Sequence, residues 1–395
     1  MALTHTLPCR ATLALLAAVL SFPTWVRAQI VISGNESKIE LTSGAPKAVS
    51  DAKPDSLTVM DFSQWPPIVN HIHGISNSVV GPPSNIAISP DGKLALVADS
   101  IKLDATNPAG FVPADRIHVL DLTARPPKVT GQLKTDGQLQ PSGISFTPDG
   151  KLALVANRAS GTVSVLAVDG LNVQLVDAVK VGQPADSISD VAVSPDGKLA
   201  LASALKGNFL AVLKIEGGKV TATGRKIAVY GQPYRVIVSP DGRFGLTAGS
   251  GWGNGLDVDA LTVIDLTGAQ PRTIDYVPLG VVPESIEISP DGRLVAAVCM
   301  EGSNLAPDNP DLTSAGSLVI CERKDGTFLR KQKLPIGRIP EGVAFTGDGK
   351  YLVVQCHPDR QIWIFSIVNG EVTDTGKRIS TTGMPSSLRA SALRK

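Results

Sequence analysis

Tyr234, Glu284 and Glu341 each stand five residues ahead of a short polar turn of one type: Ser239-Pro240-Asp241-Gly242, Ser289-Pro290-Asp291-Gly292 and Thr346-Gly347-Asp348-Gly349. Arg235 directly follows the tyrosine. These four side chains hold what a polar small-molecule site needs. The guanidinium offers a planar fork for a carboxylate or a developing oxyanion, and the glutamates offer acceptors or a general base. Trp252, in the glycine-rich run from Gly249 to Gly255, is a large aromatic suited to lie over such a site. His357, directly after Cys356, is a secondary candidate. The competing reading is structural, with Arg235 neutralising Glu284 or Glu341 as an ion pair.

Other groupings carry less chemistry. His71 and His73 form an H-x-H pair whose imidazoles would share one face of a strand, but no neighbouring Cys or carboxylate completes a metal set. The loop acids Asp104, Asp115, Asp257, Asp259, Asp308 and Asp311 lack the ligand spacing of an EF-hand. There is no G-x-S-x-G elbow, H-E-x-x-H pair or P-loop. No metal and no cofactor is expected.

The elements that position these residues follow from the turn itself. Ser-Pro-Asp-Gly or a close variant begins at Ser89, Thr147, Ser194, Ser239, Ser289 and Thr346, at spacings of 58, 47, 45, 50 and 57 residues. Proline presets the second position of a type I turn, and glycine accepts the left-handed conformation that restarts a strand. Apolar, β-branched runs flank every copy, so each is a β-hairpin, and the period marks a repeat architecture. The second unit parses into four strands: A at Ser142–Thr147, B at Lys151–Ala156, C at Gly161–Val168 and D at Asn172–Val181, with Asp169-Gly170 joining C to D. Four-stranded antiparallel units without helical periodicity indicate an all-β fold, a seven-bladed β-propeller.

Six blades are complete. The seventh is split. Its strand A comes from Met384–Ala390, and the rest from the N-terminal part: a strand B near Lys38–Thr42, a strand C at Leu57–Phe62 and a strand D at Ile68–His73. Aligning the turns places Tyr234, Arg235, Glu284, Glu287, Glu341 and Arg389 at the starts of innermost strands, around the mouth of the central channel. The long B–C connections emerge on that same face. Cys299 ends strand B of blade 5 and Cys321 lies in its strand C, so a Cys299–Cys321 disulfide is expected, with Cys356 free; three reduced thiols are the alternative.

The repeat resembles the YVTN-type propeller family, whose blade runs through S-P-D-G-K, an apolar strand ending Ala-Asn, then T-V-S-V-I-D. Ala156-Asn157 followed by Thr162-Val163-Ser164-Val165-Leu166 fits that pattern. The resemblance extends from about residue 35 to 391 and is specific for the fold. Families of similar build include lactonases of the phosphogluconolactonase type and the large subunits of periplasmic amine dehydrogenases. No short motif carries the catalytic residues of either into this chain.

Composition sets the boundaries. Aromatic residues make up 4% of the 395, which suits tightly stacked sheets better than an aromatic groove. Residues 1–28 read as a signal peptide, with Arg10 before the apolar run Ala11–Phe22 and small residues at Val26-Arg27-Ala28, and residues 29–395 as the propeller domain. Without the leader, 35 basic side chains face 36 acidic ones, so no electrostatic case exists for nucleic acid. No membrane span is expected after cleavage. The sequence thus indicates a periplasmic or secreted monomer that binds a small molecule or a partner protein at its loop face, as a binding or scaffold module. The alternatives are a lactonase-like hydrolase using the Glu and Arg cluster, and a propeller subunit of a periplasmic redox complex.

Overall fold

The computed structural model of the protein describes residues 1–2, 29–137, 139–250 and 256–392. Its strands form seven four-stranded antiparallel sheets and one two-stranded hairpin. Blade 1 occupies residues 86–134, and blades 2 to 6 occupy 141–180, 188–228, 232–278, 283–336 and 340–380. In blade 7 Met384–Ala390 pairs with Ile30–Glu36, which pairs with Ser56–Asp61, which pairs with Ile68–His73. Strand A of each blade packs on strand A of the next, and the circle closes from Met384–Ala390 back to Ile86–Ile88.

The turn chemistry is local and repeated. Ser89 Oγ donates to Asp91 Oδ1 at 2.6 Å and accepts from the Leu94 amide at 3.0 Å. The same hydroxyl–carboxylate bond recurs in the other five turns. It holds the Asp149 and Asp196 carboxyls below their ordinary range. Gly92 takes φ +69°, a conformation that costs other residues.

Burial explains the composition. Seven apolar clusters fill the seven gaps between neighbouring blades, from Ile32 against Ile86 between blades 7 and 1 to Val353 against Val31 between blades 6 and 7. Strands B and C are covered on both faces, so they read as continuous apolar runs such as Leu152–Asn157 rather than alternating ones. Small and β-branched side chains allow the sheets to approach closely near the axis.

Two expectations are corrected. Strand B of blade 7 is Ile30–Glu36, every residue of it buried, not Lys38–Thr42. The later segment belongs to the B–C connection, where Ile39–Glu40 pairs with Lys47–Ala48. The Cys299–Cys321 disulfide is absent. The register sets Cys299 opposite Ser317 and Cys321 opposite Val295, four residues further along the same strands, or about 13 Å at the strand rise. That exceeds the Cα separation of about 4.4–6.8 Å a disulfide needs. Cys299, Cys321 and Cys356 are free and buried, and burial raises the Cys321 and Cys356 thiols to about 12.

Two outcomes follow. Deleting residues from Gly383 onward removes strand A of blade 7, a loss of several kcal/mol at about 1 kcal/mol net per hydrogen bond, against a domain stability of about 5–15 kcal/mol. The thermal midpoint should fall sharply or folding should fail; a melting curve like that of the full chain would refute closure by this strand. Thiol titration of denatured, unreduced protein should label Cys299, Cys321 and Cys356 completely, as peptide mapping of the labelled residues would verify.

Candidate active site at the channel mouth

A recurring irregularity in strand A aims the site residues. In blades 2 to 7 the A–B register slips by one residue near the start of strand A. In blade 4, Pro233 faces Gly249 and Arg235 faces Ala248, leaving Tyr234 as the extra residue; in blade 5 the extra residue is Glu284. In blade 6 the slip falls between Pro340 and Val343, at Glu341. A β-bulge bends the strand and re-aims the inserted side chain. Here it turns Tyr234, Glu284 and Glu341 into one cavity of ≈ 230 Å³, together with Arg158 from the B–C turn of blade 2.

The electrostatics of this cavity are unusual. Glu341 is 1% exposed, and neither of its carboxyl oxygens has a hydrogen-bond partner in the protein. Burial pushes its pKa well above the ordinary value, and Glu284 and Glu36 push it further. Burial also raises Glu284, to about 8, against the pull of the Arg158 guanidinium. Arg158 lies 6.0 Å from the centre of the Tyr234 ring and donates from Nε to Ser187 Oγ at 3.4 Å. Burial, then Glu284, raises the Tyr234 phenol, so it remains a hydrogen-bond donor. The cavity therefore holds two carboxyl groups, one phenol and one guanidinium.

The hairpin at residues 39–48 roofs the cavity with Leu41, Ala45 and Pro46. Both sides of this hairpin are seated. A Cβ at Gly44 would lie 3.1 Å from the Ala306 amide in the blade 5 loop, and one at Gly110 in the blade 1 loop would lie 2.6 Å from Ala48 Cβ. Its root is tied down by Lys38, whose ammonium bonds Asp55 and the Asn77 carbonyl and lies 3.8 Å from Glu36 and 3.7 Å from Asp99. Burial works against that charge, but the surrounding carboxylates raise its pKa. Glu36, buried beside it, is raised to about 8.

The structure places the other expected residues elsewhere. Arg235 is 1% exposed and does not line the cavity. Its Nε donates to the Ile286 carbonyl at 2.7 Å and its Nη2 to Glu287 Oε2 at 2.6 Å, with Asp190 at 3.8 Å. Arg389 reaches across the axis to the Ile86 and Ile144 carbonyls and lies 3.6 Å from Glu287. The ion pairing foreseen for Arg235 is thus real, but its partners are Glu287 and Asp190 rather than Glu284 or Glu341. His357 is buried, bonds the Pro385 carbonyl through Nδ1 at 3.0 Å, and is held neutral with its pKa lowered to about 4 by burial. It too is outside the cavity lining. Trp252 lies outside the described residues. In strand D of blade 7, His71 shares a 3.0 Å hydrogen bond with Thr58, and among the described residues no group of three or more His, Cys, Asp or Glu is placed to hold a metal ion.

Arg158 and the roof hairpin were missed from sequence. A signal for the arginine existed: Arg158 follows strand B of blade 2 as His357 follows strand B of blade 6, and their amides bond equivalent carbonyls, Gln140 and Ile339. Wider clefts on the opposite face lie between the Ser-Pro-Asp-Gly turns of neighbouring blades. They recur from blade to blade, as the splay of a propeller requires, and gather no comparable set of buried ionisable groups.

Comparison with known proteins supports the fold. Residues 60–186 match the family model described as lactonase, 7-bladed beta-propeller. No curated protein matches the chain. Among solved structures, the periplasmic gluconolactonase PpgL of Pseudomonas aeruginosa is similar at TM-score 0.68 and 19% identity, covering 93% of this chain and 100% of that one. A putative 6-phosphogluconolactonase from Bacteroides fragilis is similar at TM-score 0.67 and 18% identity, over 93% and 99%. Kuenenia stuttgartiensis hydrazine synthase is similar at TM-score 0.60 and 22% identity, over 80% and 92%. The resemblance of the repeat to lactonase-like propellers is borne out in sequence and in architecture.

The cavity carboxyls with raised pKa values have a measurable cost. Glu284 keeps its proton up to about pH 8 in the folded protein, and Glu341 beyond its ordinary range, whereas in the unfolded chain such groups release it near 4.5. The folded state therefore binds more protons between those values, so the stability contribution is complete below 4.5 and falls as pH rises towards 8. Glu341→Gln should melt above the parent, by about 1–3 kcal/mol in stability, with the advantage widening from pH 5 to pH 8. A lower melting point at every pH would make Glu341 a structural residue.

Proposed function

We propose that the protein is a hydrolase of small lactones acting at the channel mouth. The observation that carries this reading is the placement of two carboxyl groups with raised pKa values, the buried Glu341 and the partly buried Glu284, beside one guanidinium in a single cavity. Such a pair can divide into a base and an acid. Glu284, whose carboxylate form is favoured by Arg158, takes a proton from water as the oxygen attacks the lactone carbonyl. The Arg158 guanidinium and the Tyr234 hydroxyl face the developing oxyanion. As the tetrahedral intermediate collapses, the ring C–O bond breaks and Glu341 gives its proton to the departing alkoxide. The product is the open hydroxy acid, and proton exchange with water resets both carboxyls.

The similar gluconolactonase and putative phosphogluconolactonase folds support the reading without supplying residues. A scaffold role would favour a flat apolar patch on the loop face. The described exposed apolar side chains there, Leu103, Leu256 and Val258, sit in the separate loops of blades 1 and 4. The redox-subunit reading rests on fold likeness alone. Export fits the leader-like residues 1–28 and the periplasmic description of the Pseudomonas neighbour; among the described residues no helix is long and apolar enough to cross a membrane.

Proton release from a panel of γ- and δ-lactones, corrected for uncatalysed hydrolysis, tests the activity. The rate constant kcat/KM should rise with pH and level off above about 8, as Glu284 ionises. Glu284→Gln should lower it by about 10²–10⁴ and Arg158→Met by about 10²–10³. Arg235→Ala should instead lower the melting point, because it leaves Asp190 buried without its nearest cation and Glu287 with only Arg389. Absence of hydrolysis across the panel would remove the lactonase assignment.

A further inference from the structure

We infer that the ligand of this cavity is a small, unphosphorylated ring with a hydrocarbon face, an alkyl-substituted lactone rather than a sugar lactone or a sugar phosphate. The inference deepens the hydrolase reading and rests on it for the reaction, though not for the shape and polarity of the site. Three features of the cavity carry it.

The first is the division between floor and roof. Arg158, Tyr234, Glu284 and Glu341 gather polar atoms on the channel side. Leu41, Ala45 and Pro46 form the roof, and Val79, Met300 and Ile339 form walls; Asn304 is the one further polar side chain in the described lining. A lactone needs polar partners at its ester group and none elsewhere. A polyol carries a hydroxyl on almost every ring carbon, and those turned to the roof would lose water without gaining a partner.

The second feature is charge. Arg158 is the lone cationic side chain in the described lining, and two carboxyl groups share the space. The nearby Lys38 is already engaged by Asp55, Glu36 and Asp99. A phosphate dianion would bring two negative charges against a single guanidinium. Phosphate sites gather several cations or helix N-terminal amides, and this cavity has neither.

The third is size. At ≈ 230 Å³ the cavity falls below the roughly 300 Å³ where sites for drug-sized ligands begin. One ring with a short substituent fills it. The hairpin packs closely against Ala306 and Gly110, and its apolar side chains belong to the lining.

The test compares δ-lactones bearing methyl, ethyl or propyl groups with glucono-δ-lactone and 6-phosphoglucono-δ-lactone. Hydrolysis is followed with the unaltered protein. Binding is followed independently, by thermal shift and calorimetry, with Glu284→Gln so that ligands are not consumed. The expected result is a preference of at least about tenfold for alkyl lactones over gluconolactone in both measurements, with the phosphorylated lactone poorest. Leu41→Asn, which makes the roof polar, should narrow that ratio by about tenfold or more while its melting curve stays near that of the parent. Equal or better binding of gluconolactone or its phosphate would overturn the inference and leave the hydrolase reading standing. Selective binding of alkyl lactones without turnover by the unaltered protein would do the reverse. Binding of none of them would overturn the inference.

Discussion

Unless Met384–Ala390 pairs with Ile30–Glu36 there is no ring, and without a ring there is no axis on which side chains can converge. An open row of seven sheets would leave two bare apolar faces and one interface unfilled. Closure covers both faces and completes the seventh of seven similar clusters. The pairing also brings the two ends of the sequence into one sheet. Arg389 then reaches the carbonyls of Ile86 and Ile144, and Ser386 bonds Asn77 at 3.0 Å. Contacts this distant in sequence define the geometry of the channel.

Inside the channel, buried charge is treated in two ways. Around Arg235 it is paired. Asp190 accepts from Ser84 at 2.8 Å and from the Val236 amide at 2.9 Å, and Glu287 receives Arg235. Although burial raises the Asp190 pKa, Arg235 and these donors oppose the rise. Such a network pairs its charges and ties blades 1, 3, 4 and 5 together across the axis. At the mouth, Glu341 has no such donors. A buried carboxyl left unsatisfied weakens a fold, and natural folds keep few of them. The difference between the two layers is the physical ground for locating chemistry in the upper one.

Much of this was legible in the sequence because the repeat is encoded locally. Ser89, Asp91 and Gly92 make a turn with their own atoms, so six hairpins and the split blade follow from short-range pattern. Tyr234, Glu284 and Glu341 were legible for the same reason, as equal offsets from equal turns. What depended on register was not. The cysteine pairing failed because a four-residue displacement along two strands leaves no mark in the pattern of types. Lys38–Thr42 has alternation enough for a strand, yet Ile30–Glu36 has the continuous burial that the interior of a blade demands. Arg235 was placed with its neighbour Tyr234, but the bulge between them sends adjacent side chains to different levels of the channel. Arg158 lies in a turn, and its one signal was its place after strand B of blade 2, matching that of His357 after strand B of blade 6.

The same reasoning explains why the site is lopsided. Six bulge positions surround the mouth, one in each blade from 2 to 7, and Ser142, Ser189 and Ser386 occupy those of blades 2, 3 and 7. Ser189 bonds Ser203 at 3.0 Å and Ser386 bonds Asn77 at 3.0 Å, so these short side chains leave the channel to others. Blades 4, 5 and 6 replace it with tyrosine and two glutamates, side chains long enough to leave the wall and meet Arg158 from blade 2. A ring stabilised by seven interfaces tolerates three such departures, since none of them interrupts strand pairing beyond the bulge that every blade from 2 to 7 already carries. The polar cavity of this chain is therefore written in the departures from the repeat, and the hairpin at residues 39–48 belongs with them. It is an insertion in one B–C connection, and it covers the half of the mouth where the departures cluster.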